Sequence, residues 1–220
     1  MRSFEDSLQR LGLNSIDLLL IHDLDAWHHK PPAKVDAYMN QLFVSGWRAL
    51  DELRSQGIIK GIGAGLNTIG TIPRFLDLFD IDFFLLAMRY TLLEQEVLDS
   101  EFPRFAARGV GVIIGGGYNS GILATGAVPG AMYNYEPAGP AILERVREIE
   151  QVCARHRVPL PAAALQFPLL HPIVASIIPG AILSAQVEQN LAAFHHPIPA
   201  SLWAELKHEK LIRADAPTPK

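Results

Sequence analysis

The sequence predicts an α/β fold of parallel strands covered by helices, and three observations carry that prediction. Short apolar runs alternate along the chain with longer stretches of helical periodicity. The runs are continuous, not alternating, as strands buried on both faces are. Several of them end in Gly, Asn, His or Asp, where a buried strand gives way to a polar turn. A doubly wound sheet and a β/α barrel both fit this pattern. In either, functional groups gather beyond the C-terminal ends of the strands.

Taken in order, Phe4 to Leu11 places apolar residues at 4, 8 and 11, one face of a helix. Ile16 to Ile21 reads as a buried strand stopping at His22. Asp23 to Met39, DLDAWHHKPPAKVDAYM, reads as a polar, proline-bearing loop long enough to suggest function. Gln41 to Ser55 is helical, with Gly57 as its C-terminal stop. A strand over Ile58 to Ala64 and a helix near Ile69 to Phe79 follow. Asp82 to Met88 is the next strand, and Glu96 to Arg108 a helix closed by Gly109. Val110 to Ile114 is a strand running into three glycines, and Tyr118 to Gly139 a second long loop. Helices over Pro140 to His156 and Pro161 to Leu170 precede a last strand, Val174 to Ile178. Ser184 to Phe194, with Ser184 as N-cap, and Ala200 to Leu211 complete the helices.

Composition narrows the function. The 220 residues are 49% hydrophobic and 19% charged, which suits a sizeable core in one domain, and the net charge of −4 with scattered Lys and Arg argues against nucleic acid or an anionic membrane. The start, MRSFEDSLQR, lacks an apolar signal region, and no apolar run approaches the roughly 18 residues of a membrane span. Cys153 is the only cysteine, so no intrachain disulfide forms. These features point to a soluble cytoplasmic protein.

Five strand ends supply the candidate chemistry: His22-Asp23, Gly65-Asn67, Arg89-Tyr90, Gly115-Tyr118 and Pro179-Ala181. His22 suits a proton or hydrogen-bond donor facing a ligand, although from position alone a hydrogen-bonded structural histidine is the plainer reading. The loop behind it holds Asp23, Asp25, His28 and His29. These are ordinary zinc ligand types, but the adjacent histidines diverge in extended backbone, and a polar lid is the plainer reading. IIKGIGAGLN, from Ile58 to Asn67, spaces its glycines wrongly for a dinucleotide fingerprint and reads as a strand whose end lets a ligand near the backbone. Asn67 there is either an amide-binding residue or a turn residue. IIGGGYNSGIL, from Ile113 to Leu123, exposes several backbone N–H groups suited to a pyrophosphate, or is a plain loop. SIIPGAILSAQVEQN joins a strand to a helix start, and no Lys or Arg stands between His171 and Phe194. A pocket there suits a cofactor without a 2′-phosphate. Tyr90 reads as a packing or rim residue.

These segments, in this order, resemble the aldo-keto reductase superfamily. SLQRLGLNSIDLLLIHDLD is similar to its helix, strand and catalytic-histidine segment, LRSQGIIKGIGAGLN to the next helix and strand, and MRYTLLEQE to the strand end after that. GVGVIIGGGYNSGIL and VPLPAAALQFPLLHPIVASIIPGA are similar to its last two strand regions, and the order is collinear over residues 3 to 195. RYTLLEQ, GGGYNSGIL and HPIPASLWAEL resemble the aldose dehydrogenases of that superfamily, which oxidise sugars such as L-fucose, and their pyridoxal-oxidising relatives.

The resemblance implies a TIM-type β/α barrel, here incomplete, with residues 1–220 forming a single partial domain of strands 4 to 8. It implies NAD(P) bound extended, and oxidation of an aldose from lactol to lactone. His22 falls on the catalytic histidine and Asn67 on a residue holding the nicotinamide carboxamide. Gly116, Tyr118 and Ser120 fall along the pyrophosphate, and Gly180, Ala181, Gln186, Gln189 and Asn190 on the adenosine site. Gly115 replaces the tyrosine that stacks on nicotinamide, and Ala87 stands where a glutamine helps hold the carboxamide. Trp27 is the candidate sugar contact, and no metal is expected. Members favouring NADP carry Lys-Ser and an Arg where this chain has Gly180-Ala181 and Gln186, so NAD is expected over NADP. The superfamily's catalytic Asp, Tyr and Lys match no residue here. Low activity is one resulting expectation; the others are a longer enzyme of which this is the C-terminal part, a second chain completing the barrel, and an inactive nucleotide-binding remnant or partner subunit of a full-length relative. A metal hydrolase using His22, Asp23 and His28 is a further alternative.

Overall fold

Five of the apolar runs form one parallel sheet. The computed structural model describes residues 1–219. Its elements are α1 (Arg2–Leu11), β1 (Leu18–His22), α2 (Pro32–Gln41), a π-helical turn (Leu42–Gly46), α3 (Trp47–Ser55), β2 (Gly61–Leu66), α4 (Ile72–Leu78), β3 (Phe83–Ala87), α5 (Glu101–Arg108) and β4 (Gly111–Gly115). After these come α6 (Ile122–Thr125), the two-residue strands β5 (Met132–Tyr133) and β6 (Glu136–Pro137), α7 (Pro140–Arg155), α8 (Leu160–Gln166), β7 (Val174–Ile178), α9 (Ser184–His195) and α10 (Ala200–His208). The sheet order is β1-β2-β3-β4-β7, all parallel, and β5 pairs with β6 as a separate antiparallel hairpin.

Each strand lies beside its predecessor in the sheet, without the reversal of order that defines a doubly wound sheet. This is the winding of a β/α barrel wall. Register shows how the sequence divides between the two faces. On one face, Ile62, Ala64 and Leu66 of β2 align with Phe84, Leu86, Val112 and Ile114 of the next strands, and helices bury them. Phe84 stacks on Phe105 of α5 at 4.9 Å and meets Phe75 of α4 edge-on at 6.0 Å. A smaller cluster of Phe4, Leu53, Ile59 and Ile62 fixes α1 and α3 beneath β1 and β2.

On the other face, the glycines of GIGAGL align with Leu18, Leu20 and His22 of β1 and with Phe83 and Leu85 of β3. A Cβ at Gly63 would meet the Phe83 ring at 2.5 Å, and one at Gly115 would meet Leu85 at 2.9 Å. These glycines make room for neighbouring side chains. Leu18, Leu20 and Ile178 on this face are exposed, and the outer edges of β1 and β7 pair with no other strand among the described residues.

The structure differs from expectation in several places, and the loop expected over Tyr118 to Gly139 holds α6 and the β5–β6 hairpin. The loop expected over Asp23 to Met39 ends at Pro31, because Pro32 opens α2 in the first-turn position that proline tolerates, and Val35 and Met39 bury one face of it. The helix expected over Glu96 to Arg108 is broken: a 3₁₀ turn at Glu96–Leu98 precedes α5. Ser184 is the first residue of α9 and not its cap. The free N–H groups of Ile182 and Leu183 instead donate to Gln186 Oε1, at 2.6 and 3.1 Å. Gly57 and Gly109 take the left-handed helix-ending conformation expected of them, at φ +70° and +67°. Among the described residues, no helix is long and apolar enough to cross a membrane.

Candidate active site

Two cavities open beside the C-terminal ends of the strands. The first, of about 490 Å³, lies over β1, β2 and β3, and its lining includes His22, Trp27, Asn67, Leu85, Ala87 and Tyr135. The second, of about 820 Å³, lies between the loop after β4 and the start of α9.

The first cavity is organised by acids that follow β1. At the strand's end Asp23 turns into the left-handed region, at φ +52°, and its N–H donates to the Gly65 carbonyl at 2.8 Å. His22 projects from the open face of the sheet, mostly exposed, with Nε2 3.2 Å from Asp23 Oδ2. The same carboxylate oxygen lies 3.3 Å from His28 Nε2. His28 Nδ1 lies 3.0 Å from Oδ1 of Asp25, which is fully buried.

Asp25 is the hub of this arrangement. Its Oδ1 accepts the N–H groups of Trp27 (3.0 Å) and His28 (3.1 Å). Its Oδ2 accepts those of Asn67 (3.0 Å) and Thr68 (3.1 Å), which lie beyond β2. Burial alone would raise the carboxyl's pKa. Hydrogen bonds from the His28 ring and from the N–H groups of His28, Asn67 and Thr68 outweigh it and hold the group below the ordinary carboxylate range. One buried charge therefore ties the loop carrying Trp27 to the strand end carrying Asn67. Sequence reasoning placed Asp25 in a polar lid or among metal-ligand types, because two of its partners, Asn67 and Thr68, lie more than forty residues away. Among the described residues, no group of three or more His, Cys, Asp or Glu is placed to hold a metal.

The second cavity brings together Gly116, Tyr118, Ser120, Gly180, Ala181, Gln186, Gln189 and Asn190, from two regions far apart in sequence. The Tyr118 hydroxyl donates to Asn190 Oδ1 at 2.8 Å, and Asn190 Nδ2 donates to the Gly180 carbonyl at 3.3 Å. Burial pushes the Tyr118 phenol up to about 12, so it stays a neutral donor. Gln186 already spends its carbonyl on the start of α9, leaving its amide N–H₂ for a ligand. Ser120 is similarly engaged, accepting the Tyr135 N–H at 2.9 Å. None of the described residues lining this cavity is Lys, Arg, Asp or Glu.

Not every expected residue lines a cavity. Gly115 is buried at the end of β4, and Leu85 fills the space its side chain would take. Tyr90 is wholly buried among Phe102, Phe167 and His171. Tyr135 was missed. It is carried over the first cavity by the β5–β6 hairpin, inside what reads as a featureless loop.

The aldo/keto reductase family model matches residues 1–209. Pyridoxal 4-dehydrogenase of Microbacterium luteolum is 42% identical over 214 residues, covering 96% of this chain and 62% of that protein. D-threo-aldose 1-dehydrogenase of a Pseudomonas species is 36% identical over 218 residues, covering 99% of this chain and 62% of that protein. The chain thus spans about three fifths of the length of these curated relatives. The holo form of an aldo-keto reductase from Bacillus halodurans superposes with a TM-score of 0.69 at 24% identity, covering 98% of this chain and 65% of that one, and shows the shared fold. With its parallel five-stranded sheet and this family match, the chain belongs to the aldo/keto reductase family.

Proposed function

We propose that the protein binds NAD and serves the oxidation of an aldose, such as L-fucose, at its anomeric carbon, from lactol to lactone. The observation that carries the proposal is the pair of cavities, whose linings are linked by the Tyr135 N–H bond to Ser120. One holds His22 and Asn67; the other is lined by neutral hydrogen-bonding groups. The donor set of the second suits an adenosine whose ribose hydroxyls are free, because a 2′-phosphate calls for Arg or Lys and none lines it. Gly116, Tyr118, Ser120, Gly180, Ala181, Gln189, Asn190 and the free amide of Gln186 would hold the adenosine and pyrophosphate, and Asn67 the carboxamide. The chemistry a bound nicotinamide supplies is acceptance of a hydride. His22, oriented by Asp23, hydrogen-bonds the anomeric oxygen and fixes the sugar in place, with Trp27 beside the ring. The likeness to a pyridoxal 4-dehydrogenase and a D-threo-aldose 1-dehydrogenase supports an aldehyde or lactol substrate.

Turnover also needs a proton acceptor. Tyr135 is the only tyrosine lining the His22 cavity among the described residues, and no lysine lines it. We therefore assign full activity to a completed barrel, whose further strands pair with the free edges of β1 and β7. The exposed apolar residues Leu18, Leu20 and Ile178, and Val187, Leu191 and Phe194 of α9, favour such a covering. The same shortage favours one alternative, a nucleotide-binding protein without turnover. NADH formation in the presence of L-fucose separates the two. The dehydrogenase reading expects a rate that falls about 10²- to 10⁴-fold in His22→Ala. NADH binding with no L-fucose-dependent rate, in this chain and in the completed barrel alike, selects the alternative, and absence of NADH binding refutes both.

A further inference from the structure

The first cavity carries a feature that the catalytic reading does not use. Residues Met132 to Pro137 form a hairpin whose two tip residues, Asn134 and Tyr135, both have positive φ, at 51° and 64°. A two-residue turn of type I′ requires this of both positions, and Asn adopts it readily, whereas a bulky aromatic seldom does. The tip is nevertheless held from three sides. Arg89 Nη2 donates to Asn134 Oδ1 at 2.6 Å, and the Tyr133 hydroxyl donates to Glu94, which also pairs with Arg89 at 3.1 Å. The Tyr135 N–H donates to Ser120.

This support delivers one exposed ring to the cavity mouth. Tyr135 is 58% exposed, so burial in the core does not account for it. Its ring meets Trp27 edge-on, with centroids 6.3 Å apart and planes at 61°, and its hydroxyl lies 3.5 Å from Asn67 Oδ1. Trp27 is itself held through its N–H by the buried Asp25. Two aromatic side chains on independently anchored loops thus form a corner above Leu85 and Ala87, with His22 beside it. Such a corner offers apolar faces to the body of a ring and leaves its oxygenated edge to polar groups.

We infer that Tyr135 and Trp27 form an aromatic clamp that selects substrates built on a six-membered ring. The clamp rests on the reading of this cavity as the substrate site, and Tyr135 is its specificity-determining residue. Two sources share the required chemistry, a pyranose and a substituted pyridine.

Two variants of the full chain test it. Tyr135→Asn puts a residue at home in the left-handed region and removes the ring, while Tyr135→Phe keeps the ring and removes the hydroxyl. Binding of L-fucose and of pyridoxal is read by ligand-observed NMR. Binding of ADP-ribose, which lacks nicotinamide, is read by calorimetry and reports the other cavity. Tyr135→Asn is expected to raise Kd for at least one ring compound about 3- to 10-fold. Tyr135→Phe and all ADP-ribose affinities are expected to stay within about twofold of the parent. A response to L-fucose alone identifies a pyranose site, and to pyridoxal alone a pyridine site. Unchanged ring affinity in Tyr135→Asn, or no binding of either ring compound by the parent chain, overturns the clamp. A lower melting temperature together with weakened ADP-ribose binding in Tyr135→Asn also overturns it, by showing a structural role. Ring binding that depends on Tyr135 in a parent chain that ignores ADP-ribose instead strikes the cofactor reading and leaves the clamp standing.

Discussion

Replacing Asp25 by Ala removes the acceptor of four backbone N–H groups and one imidazole nitrogen at once. Asn67 is buried, so its N–H cannot turn to bulk water in place, and a buried donor left unsatisfied costs about 1–3 kcal/mol. Those of Trp27, His28 and Thr68 are partly solvated and cost less. With the loss of the His28 contact, the sum is about 3–5 kcal/mol, the range found when one partner of a buried charged pair is deleted. That is a large share of the roughly 5–15 kcal/mol stability of a domain. Asp25→Asn keeps one acceptor oxygen but aims an N–H₂ group at donors, for a cost of about 1–3 kcal/mol. The assays are urea unfolding and limited proteolysis around Trp27 to His29. Acidity separates the variants further. The folded-state carboxyl is held below its unfolded value of about 3.9, so its contribution is complete well above that pH and fades as pH falls through the lower folded value. Parent stability should drop across that acid window, and that of Asp25→Asn should drop less. Asp25→Ala within about 1 kcal/mol of the parent, with the loop equally protected, would refute the role given to this carboxylate.

Other consequences follow from the same geometry. Gly63→Ala forces the Phe83 ring aside and should cost about 1–3 kcal/mol by thermal unfolding, whereas alanine at exposed Gly70, with nothing within 4 Å, should cost far less. Tyr118→Phe removes the bond to Asn190 and should weaken ADP-ribose binding by about three- to tenfold, roughly the worth of one hydrogen bond, as measured by calorimetry. Gln189→Arg adds a cation to the neutral cavity without disturbing the Gln186 cap. It should raise affinity for NADPH relative to NADH by about tenfold, and an unchanged ratio would place the ribose elsewhere.

The parallel α/β sheet was legible because strand chemistry is local. LLLIH and FFLLA are continuous apolar runs, and GIGAGL alternates glycine with Ile, Ala and Leu at the period of a pleat. The start of α2 was hidden by the prolines of KPPAKV, although Pro32 with Val35 and Met39 at helical spacing was a usable signal. The strand-end residues His22 and Asn67 could be named from position alone. Their mutual placement could not, because Asp25 makes it through contacts across more than forty residues. Tyr135 was invisible for a related reason. Its hairpin strands are two residues each, too short for periodicity, and its position depends on Arg89 and Glu94 from the loop after β3 and on Ser120 after β4.

The most direct test of the account is a paired titration of the protein with NADH and NADPH, read by the change in nicotinamide fluorescence. A neutral adenosine cavity predicts saturable binding of NADH, about tenfold tighter than NADPH or better, and weakened by Tyr118→Phe. NADPH binding as tightly as NADH, or no binding of either, would contradict it.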